Sequence, residues 1–550
     1  MRALLASSVS AACTAALVIP VLGLPRASAS AAPSQPSTPS KPYVPYVPDL
    51  SGMSTVPGEP DATDAPDVPG STQSLALEPL PGLYRAGGGS GVQGLAPREV
   101  GAFSLVGVVW DDVDAALHGT VQVRTRAAGS GAWSAWQDVE THNDEHGADP
   151  DSAERAEGGP VRGSTAPLWV GASDAVEVRV RPEAPGGEEL RGVTPPLPQG
   201  LRLELVDPGK AEEAEVQGPG EGDGSEEPDV LEESAEPDVL EEEVEVEEAE
   251  GSEDPQDSED PQDSEEPDGD GADAPEGAEG PAASPGDGEL PAGGARSDAG
   301  PAQAAALTAE SAAASAVNAD LAPLGADVIA AQTKAQTEGE AGLYGVRKPY
   351  IGARPRIITR KGWGADETLR EKQFVYTNGI KAAFVHHSAT GNRYTCAQAP
   401  SVLRSIYRYH VESSGWRDFG YNFAVDKCGN IYEGRAGGVA KAVLGAHTRG
   451  FNSNSMGIAV LGTYSATTPP AAVLTAVARL TAWKLGMYGV DPTTTTYLTS
   501  AGGNKFTKGT QARLNTISGH RDGFETDCPG SRLYSKLGAT RSASAKFQGR

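Results

Sequence analysis

Two kinds of hydrophobic pattern divide the chain. Between about residues 76 and 209, apolar and polar positions alternate, as at Val176, Val178 and Val180, where Glu177 and Arg179 lie between the valines. Alternation with period two predicts half-buried strands. Because many glycines and prolines separate these runs, the pattern predicts an all-β, antiparallel sandwich-like domain over residues 76–209.

Further along, from about residue 346 to 540, strand and helix patterns alternate. Short apolar runs at residues 382–387 and 456–461 predict buried strands, and residues 469–488 predict a helix. Residues 421–425 and 431–433 predict a β-hairpin, with Gly429 allowing the turn. We therefore expect an α/β domain with a mixed central sheet flanked by helices.

Some chemically attractive residues have a simpler structural explanation. His410 lies seven residues after Leu403 on the apolar face of a predicted helix, so we expect it to be a buried, hydrogen-bonded histidine. Trp133, Trp136 and Trp169 of the β-rich domain have faces that could stack on sugars. Core packing is the interpretation we favour for them, because it takes most tryptophans of small sandwiches.

Charge separates the two folded regions. Residues 211–290 contain 34 Asp and Glu and no Lys or Arg, whereas the whole chain has a net charge of −32, so the rest of the chain is close to neutral. The composition predicts a disordered linker over residues 210–345, acidic at first and then rich in Ala and Gly. It contains no twelve-residue loop typical of calcium sites. Because the rest of the chain has no large excess of positive charge, we do not expect nucleic acid as a partner.

Other segments complete the predicted organisation. Arg2, an apolar stretch and small residues near Ala31 predict a signal peptide over residues 1–31. A membrane anchor is the less favoured alternative, because the apolar stretch is shorter than the roughly 20 residues that span a bilayer. Residues 32–75 predict a Pro- and Ser-rich linker, and residues 541–550 a short tail. Without a later membrane segment, we expect a secreted protein that can associate with the cell wall.

A candidate metal site appears in the C-terminal region. His520 and Cys528 lie eight residues apart, and His386 and His387 end a predicted strand. Two histidines and one cysteine provide three zinc ligands and leave the fourth position for water, as in catalytic sites. Because side chains alternate along a strand, only one of the two neighbouring histidines can face that site. We expect one Zn²⁺ per domain.

Cysteine number bears on the same site. Removing the signal peptide leaves Cys396, Cys428 and Cys528, an odd number in a compartment where disulfides persist. If Cys528 binds metal, Cys396 and Cys428 remain to form a disulfide, which is the pairing that we favour. The alternative, in which one of them pairs with Cys528, would destroy the metal site.

Six motifs, in the same order over about 190 residues, resemble the peptidoglycan recognition protein family, which is similar in turn to T7-type lysozyme and the type 2 zinc amidases. They are residues 363–365 (Trp-Gly-Ala), 385–390 (Val-His-His-Ser-Ala-Thr), 415–423 (Gly-Trp-Arg-Asp-Phe-Gly-Tyr-Asn-Phe), 432–435 (Tyr-Glu-Gly-Arg), 445–448 (Gly-Ala-His-Thr) and 520–528. The resemblance implies a zinc-dependent N-acetylmuramoyl-L-alanine amidase. Such an enzyme cuts the amide between muramic acid and the first L-alanine of the peptidoglycan stem peptide.

The resemblance also assigns roles to residues. It implies that His386, His520 and Cys528 bind zinc, and that the histidine after His386 faces the other side of the strand. Tyr421 and Thr526 match catalytic positions, where their hydroxyl groups could stabilise an oxyanion or orient water. Non-catalytic members of the family generally lack the cysteine, so Cys528 favours an enzyme over a binding protein.

Substrate contacts are predicted in the same way. Gly415 and Trp416 together with Arg435 resemble the family signature for stem peptides that contain diaminopimelate, whose extra carboxylate a guanidinium can pair with. Packing of Trp416 and surface exposure of Arg435 are the alternatives. His447 and Asn454 are predicted groove residues, although Asn can also fix turns.

Function is thus expected at a zinc centre that acts on bacterial peptidoglycan, and the Ala- and Gly-rich composition suggests that a bacterium produces the protein. The site lacks the glutamate of an HExxH motif, and Asp522, Glu525 and Asp527 are expected to be solvated surface carboxylates. Two other functions remain open, a wall-binding module without activity and a zinc hydrolase, such as a peptidase, that cleaves another bond.

Overall fold

The computed structural model describes residues 70–80, 91–141, 143, 146–152, 155, 160–183, 195–209, 307–343 and 350–550. The predicted signal peptide and the acidic stretch 211–290 lie outside these residues. The described residues all belong to one compact unit. Within them, no helix combines the length and the apolar character that crossing a bilayer requires.

An eight-stranded antiparallel sheet forms the N-terminal domain, which is called the sandwich domain below. Its strands are β1 (Ser71–Ala76), β2 (Glu78–Pro79), β3 (Gln93–Trp110), β4 (Gly119–Ala127), β5 (Gln137–Val139), β6 (Gly163–Ser164), β7 (Leu168–Pro182) and β8 (Arg202–Asp207). They pair in the order β1-β8-β3-β7-β4-β5, with β2 and β6 paired to β3. Bulges interrupt the pairing of the long strands β3 and β7. All eight strands belong to one sheet, and side chains of β3, β4, β7 and β8 meet in one core, so the predicted all-β, antiparallel domain is confirmed.

Alternation along β7 shows why these residues form strands. Val176, Val178 and Val180 are fully buried, whereas the charged residues between them face away from the core. The prediction for the tryptophans is confirmed at Trp169, which is 6% exposed, and wrong at Trp133, which is 37% exposed. Guanidinium groups cover the outward indoles instead, because a cation over an aromatic face is favourable.

A seven-stranded mixed sheet forms the centre of the C-terminal domain. Its strands are β9 (Val328–Ile329), β10 (Ile357–Ile358), β11 (Ala382–His387), β12 (Phe423–Val425), β13 (Ile431–Glu433), β14 (Ser455–Val460) and β17 (Ile517–Gly519), whereas β15 (Thr495–Thr499) and β16 (Gln511–Asn515) form a separate pair. The sheet order is β17-β11-β14-β12-β13-β10-β9. β11 is parallel to both of its neighbours, and the predicted hairpin is the antiparallel pair β12 and β13.

Helices cover both faces of this sheet. They are α1 (Ala309–Ala316), α2 (Lys334–Leu343), α3 (Ala399–Arg408), α4 (Ala471–Met487), α5 (His520–Gly523), α6 (Ser531–Tyr534) and α7 (Leu537–Gln548). Helix α4 packs with one face of the sheet in the largest core cluster. Helix α3, which continues as a π-helical turn over Tyr409–Ser413, packs on the opposite face. The predicted α/β architecture is confirmed.

The folded C-terminal domain extends beyond the predicted limits. Part of the predicted linker forms α1, β9 and α2, and β9 adds a strand to the sheet by pairing with β10. The predicted tail belongs to α7, where the Ser544 hydroxyl accepts a hydrogen bond from Thr481 of α4. Because these segments are rich in Ala and Gly, their hydrophobic pattern is weak, and tertiary contacts decide their structure. β1 likewise begins within the predicted Pro- and Ser-rich segment.

Cys396 and Cys428 form the predicted disulfide. It links the short 3₁₀ helix before α3 to the turn between β12 and β13. The bond therefore fixes α3 to the hairpin, and it leaves Cys528 as a buried thiol.

The sandwich and the C-terminal domain share a hydrophobic core. Leu105, Val109 and Trp169 of the sandwich belong to the same cluster as the inward residues of α3. The Trp169 backbone N–H donates to the carbonyl oxygen of Thr390 at 3.1 Å. The two domains thus bury apolar surface against each other, which stabilises one docked arrangement.

Candidate metal centre and substrate groove

Strand register brings two of the predicted ligands together. Val385 of β11 lies opposite Gly519 of β17 in a parallel pair, so the next residues, His386 and His520, are neighbours at the strand ends. Their ring centroids are 4.5 Å apart. On the other side, His386 lies opposite Ala459 of β14, a small residue that leaves room for the imidazole.

Cys528 reaches the same point because the chain turns back after α5. The Arg521 N–H donates to the Cys528 carbonyl oxygen at 3.0 Å, and the Cys528 N–H donates to the Thr526 hydroxyl at 3.0 Å. This turn places the Cys528 Sγ 3.7 Å from Nδ1 of His386. The three predicted metal ligands therefore converge on one buried point.

A fourth side chain completes the cluster, and no motif or spacing in the sequence pointed to it. His146 comes from the sandwich domain, between β5 and β6, and its ring centroid is 4.5 Å from that of His520 and 5.3 Å from that of His386. The ligand atoms of His146, His386, His520 and Cys528 all lie within 4.8 Å of one another. Neither ring nitrogen of His146 has a hydrogen-bond partner among the described residues.

Burial keeps these imidazoles neutral. It lowers the pKa of His386 well below its ordinary value, and the neighbouring His520 lowers it further. Burial also lowers the pKa of His146 to about 3. A neutral imidazole offers a lone pair to a cation, and a thiol adds a soft ligand once deprotonated. The donor set of nitrogen and sulfur fits zinc, and the two His146 nitrogens without a hydrogen-bond partner among the described residues suit a metal ligand.

The two predicted catalytic hydroxyls lie beside the cluster. Tyr421 is 5% exposed, and its ring centroid is 5.2 Å from that of His386. Tyr421 and Thr526 line one cavity together with Cys528 and His146. Both residues thus lie at the cavity beside the cluster.

The nearby carboxylates take no part in the cluster. Asp527 is 94% exposed at its side chain, and Glu525 is also exposed, as predicted. Asp522 is half-buried rather than solvated, since its carboxylate accepts hydrogen bonds from the Gly519 N–H and the Tyr534 hydroxyl. Asp522 therefore holds the turn before α5 in place.

The residues predicted to recognise diaminopimelate line different cavities. Trp416 stacks on His410 at 4.3 Å and lines a cavity with His146. Arg435 lines two other cavities, and its guanidinium donates to the Leu444 carbonyl oxygen at 3.0 Å. Both are buried, so Arg435 is not the surface charge that the alternative required. Gly415 precedes the tryptophan with φ +75°.

Of the two predicted groove residues, His447 lies beside the cluster and Asn454 lies far from it. His447 is fully buried, 5.4 Å from the His386 ring between centroids, and its Nδ1 lies 3.0 Å from the Thr448 hydroxyl. Asn454 has φ +59° and precedes β14, whose first residue pairs with Ala382 at the start of β11, the end of the strand remote from His386. The structure supports a turn-fixing role for Asn454.

The remaining histidines agree with the predictions from periodicity. His387 lies on the opposite face of β11 from His386, and its Nδ1 accepts a hydrogen bond from the Tyr464 N–H at 3.3 Å. His410 is buried, and its Nδ1 accepts a hydrogen bond from the Gly420 N–H at 3.2 Å.

Comparison with known families agrees with this division of the chain. Residues 60–204 match the family described as Rv3811 N-terminal galactose-binding domain-like. Residues 376–531 match the N-acetylmuramoyl-L-alanine amidase family. The second match contains the three predicted metal ligands, whereas His146 lies in the first.

Individual relatives cover the C-terminal domain. The chain is 30% identical over 181 residues to peptidoglycan-recognition protein SC2 of Drosophila melanogaster, which covers 33% of this chain and 84% of the relative. It is 30% identical over 224 residues to the N-acetylmuramoyl-L-alanine amidase of Homo sapiens, covering 38% of this chain and 31% of that protein. The solved structure of Drosophila PGRP-LB is similar with 27% identity and a TM-score of 0.26, over 33% of this chain and 91% of the other.

Proposed function

Because the chain belongs to the peptidoglycan recognition protein and N-acetylmuramoyl-L-alanine amidase family, we propose that it is a zinc-dependent amidase. Its substrate is bacterial peptidoglycan, and the bond cut is the amide between N-acetylmuramic acid and L-alanine. The observation that carries the proposal is the convergence of His386, His520 and Cys528, on three separate segments, at one buried point.

Three residues would bind the metal, and two neighbouring hydroxyl groups would assist the reaction. Zinc, when bound, polarises a carbonyl group and makes a water molecule more acidic. His386, His520 and Cys528 would hold the ion. Tyr421 and Thr526 lie at the same cavity, where an O–H can donate to the oxygen that gains negative charge as water adds to the amide. Burial of the cluster strengthens such hydrogen bonds, because the local dielectric is low.

We also propose that the stem peptide contains diaminopimelate and that the protein acts outside the cell. The pattern of Gly415, Trp416 and Arg435 supports the first proposal, although the two side chains line different cavities. The N-terminal sequence and the disulfide support the second, since disulfides persist in oxidising compartments.

Mass spectrometry of digested muropeptides tests the activity. The zinc-loaded chain, incubated with muropeptides that contain either diaminopimelate or lysine, should release intact peptides that begin with L-alanine. A chelator and the Cys528→Ala variant should abolish release, whereas the matched variant Glu525→Gln, whose side chain is exposed, should retain it.

Two outcomes would contradict the proposal. Muropeptide binding without any product, both in the natural chain and in His146→Ala, would indicate a recognition protein. Products cut within the stem peptide would indicate a peptidase instead.

A further inference from the structure

The sandwich domain places a histidine at the metal cluster of the other domain. His146 reaches His386, His520 and Cys528 to within 4.8 Å between ligand atoms. The remaining three cluster residues all belong to the C-terminal domain, and they already suffice for a catalytic zinc site. His146 would supply a fourth ligand, and a catalytic zinc site keeps its fourth position for water.

The polar atoms of the His146 ring are left without a partner in the described part of the chain. Both of its nitrogens are buried, and neither has a hydrogen-bond partner there. Leaving a polar group buried without a partner costs about 1–3 kcal/mol. A bond from one nitrogen to a cation would remove that cost for it.

Specific contacts hold residues 146–152, here called the His146 segment, against Gly450 and Asn452 of the C-terminal domain. The Asn452 side-chain amide donates to the Gly147 carbonyl oxygen at 2.9 Å and to the Asp149 carboxylate at 2.8 Å. The Gly450 N–H also donates to Asp149, at 2.8 Å. The position of His146 is thus fixed by a buried polar network and does not depend on the cluster alone.

The same segment covers residues predicted to contact substrate. Gly147 faces the Trp416 indole so closely that a Cβ on Gly147 would lie 3.6 Å from it. At Gly415, a Cβ would lie 2.5 Å from the carbonyl oxygen of Pro160, a sandwich residue that follows the segment. The docked sandwich therefore occupies the space beside Gly415 and Trp416.

We propose that His146 is a fourth protein ligand of the metal and that the docked sandwich domain keeps the amidase latent. This regulation rests on the proposed function, but the coordination does not. Three histidines and one cysteine form a closed, four-ligand site of the structural type, with no position left for water. Activity then requires that the His146 segment withdraw, which frees the fourth position and the groove together.

Cobalt substitution tests the coordination without reference to activity. In the full chain loaded with Co²⁺, His146→Ala should shift the visible d–d bands, because water replaces an imidazole, and added imidazole should restore them. Zinc should also pass to a chelator about ten-fold faster or more, since even supporting residues of metal sites change affinity by about 10–100-fold. His146→Gln provides a second variant in case the alanine variant does not fold.

His118→Ala is the matched control, because His118 is an exposed histidine of the same domain. It should leave the bands and the chelation rate unchanged. Unchanged bands and chelation rate in both His146 variants would overturn the proposal.

Muropeptide hydrolysis by the same proteins separates the two proposals. We expect the double variant His146→Ala/Asp149→Ala, which removes both the fourth ligand and the carboxylate that holds the segment, to release product at least about ten-fold faster than the natural chain. Shifted bands with equal hydrolysis rates would refute latency. Shifted bands with no hydrolysis in any variant would leave His146 as a metal ligand and overturn the amidase function instead.

Discussion

Asp149→Ala should loosen the His146 segment. The Asp149 carboxylate is 6% exposed and accepts two hydrogen bonds across the domain boundary, both at 2.8 Å, from the Gly450 N–H and the Asn452 amide. A hydrogen bond to a charged group contributes about 1.5–3 kcal/mol. The two donors regain water when the segment withdraws, so the substitution destabilises the docked state selectively.

The expected magnitude follows from these two bonds. Their sum is about 3–6 kcal/mol, and water entering the space left by the side chain should recover part of it. We take about 3 kcal/mol, which increases the open fraction of the segment about a hundred-fold.

Hydrogen exchange with mass spectrometry measures this opening directly. In the metal-loaded chain, backbone amides of residues 146–152 should exchange about a hundred-fold faster in Asp149→Ala, provided that reclosing is faster than exchange. Asp151→Ala is the matched control, because Asp151 pairs with Lys508 and both side chains are more than half exposed. An exposed ion pair contributes at most about 1 kcal/mol.

Exchange in Asp149→Ala that does not exceed exchange in Asp151→Ala would refute this reasoning. It would mean that the segment is held by the cluster or by the shared core rather than by the Asp149 network.

Three further predictions concern stability, each measured by urea unfolding. Replacing Cys396 and Cys428 by alanine should lower the free energy of unfolding by about 3.7 kcal/mol, from the chain entropy of a loop of about 32 residues; no change would indicate a denatured state that is already compact. Leu105→Ala should cost about 2–5 kcal/mol, because Leu105 is fully buried in the core that both domains share; a cost below about 1 kcal/mol would mean that the domains separate easily. Burial lowers the pKa of Lys484 to about 7, so its contribution to stability is complete above its unfolded pKa of about 10.5 and is lost as pH falls through 7. Lys484→Met should therefore show a smaller loss of stability between pH 10 and 7 than the natural chain, and equal slopes would contradict the pKa shift.

Local pattern predicted the elements that carry the ligands. The strand expected at residues 382–387 is Ala382–His387, and the helix expected at 469–488 is Ala471–Met487. Both are strongly apolar and are bounded by turns, so propensity and packing agree. The family motifs identified which of the two adjacent histidines faces the cluster, and the strand geometry agrees.

Contacts between distant segments could not be predicted. The Asp149 carboxylate and the Asn452 amide that it accepts from are 303 residues apart. His146 lies in an irregular segment, and no spacing in the sequence relates it to His520. For Asn454 the sequence suggested a role that the structure does not support. Its place near a motif predicts a groove residue, but its positive φ marks a turn.

The short pairing of β17 with β11 has a consequence for how the protein matures. Three residue pairs, ending at Val385 and Gly519, set the alignment of His386 with His520. His386 and Cys528 are separated by 142 positions, so nearly the whole C-terminal domain must be synthesised and correctly aligned before a metal ion can be held. Metal uptake would therefore report the completion of folding, and a chain that is truncated or slipped by one residue at this edge would stay metal-free.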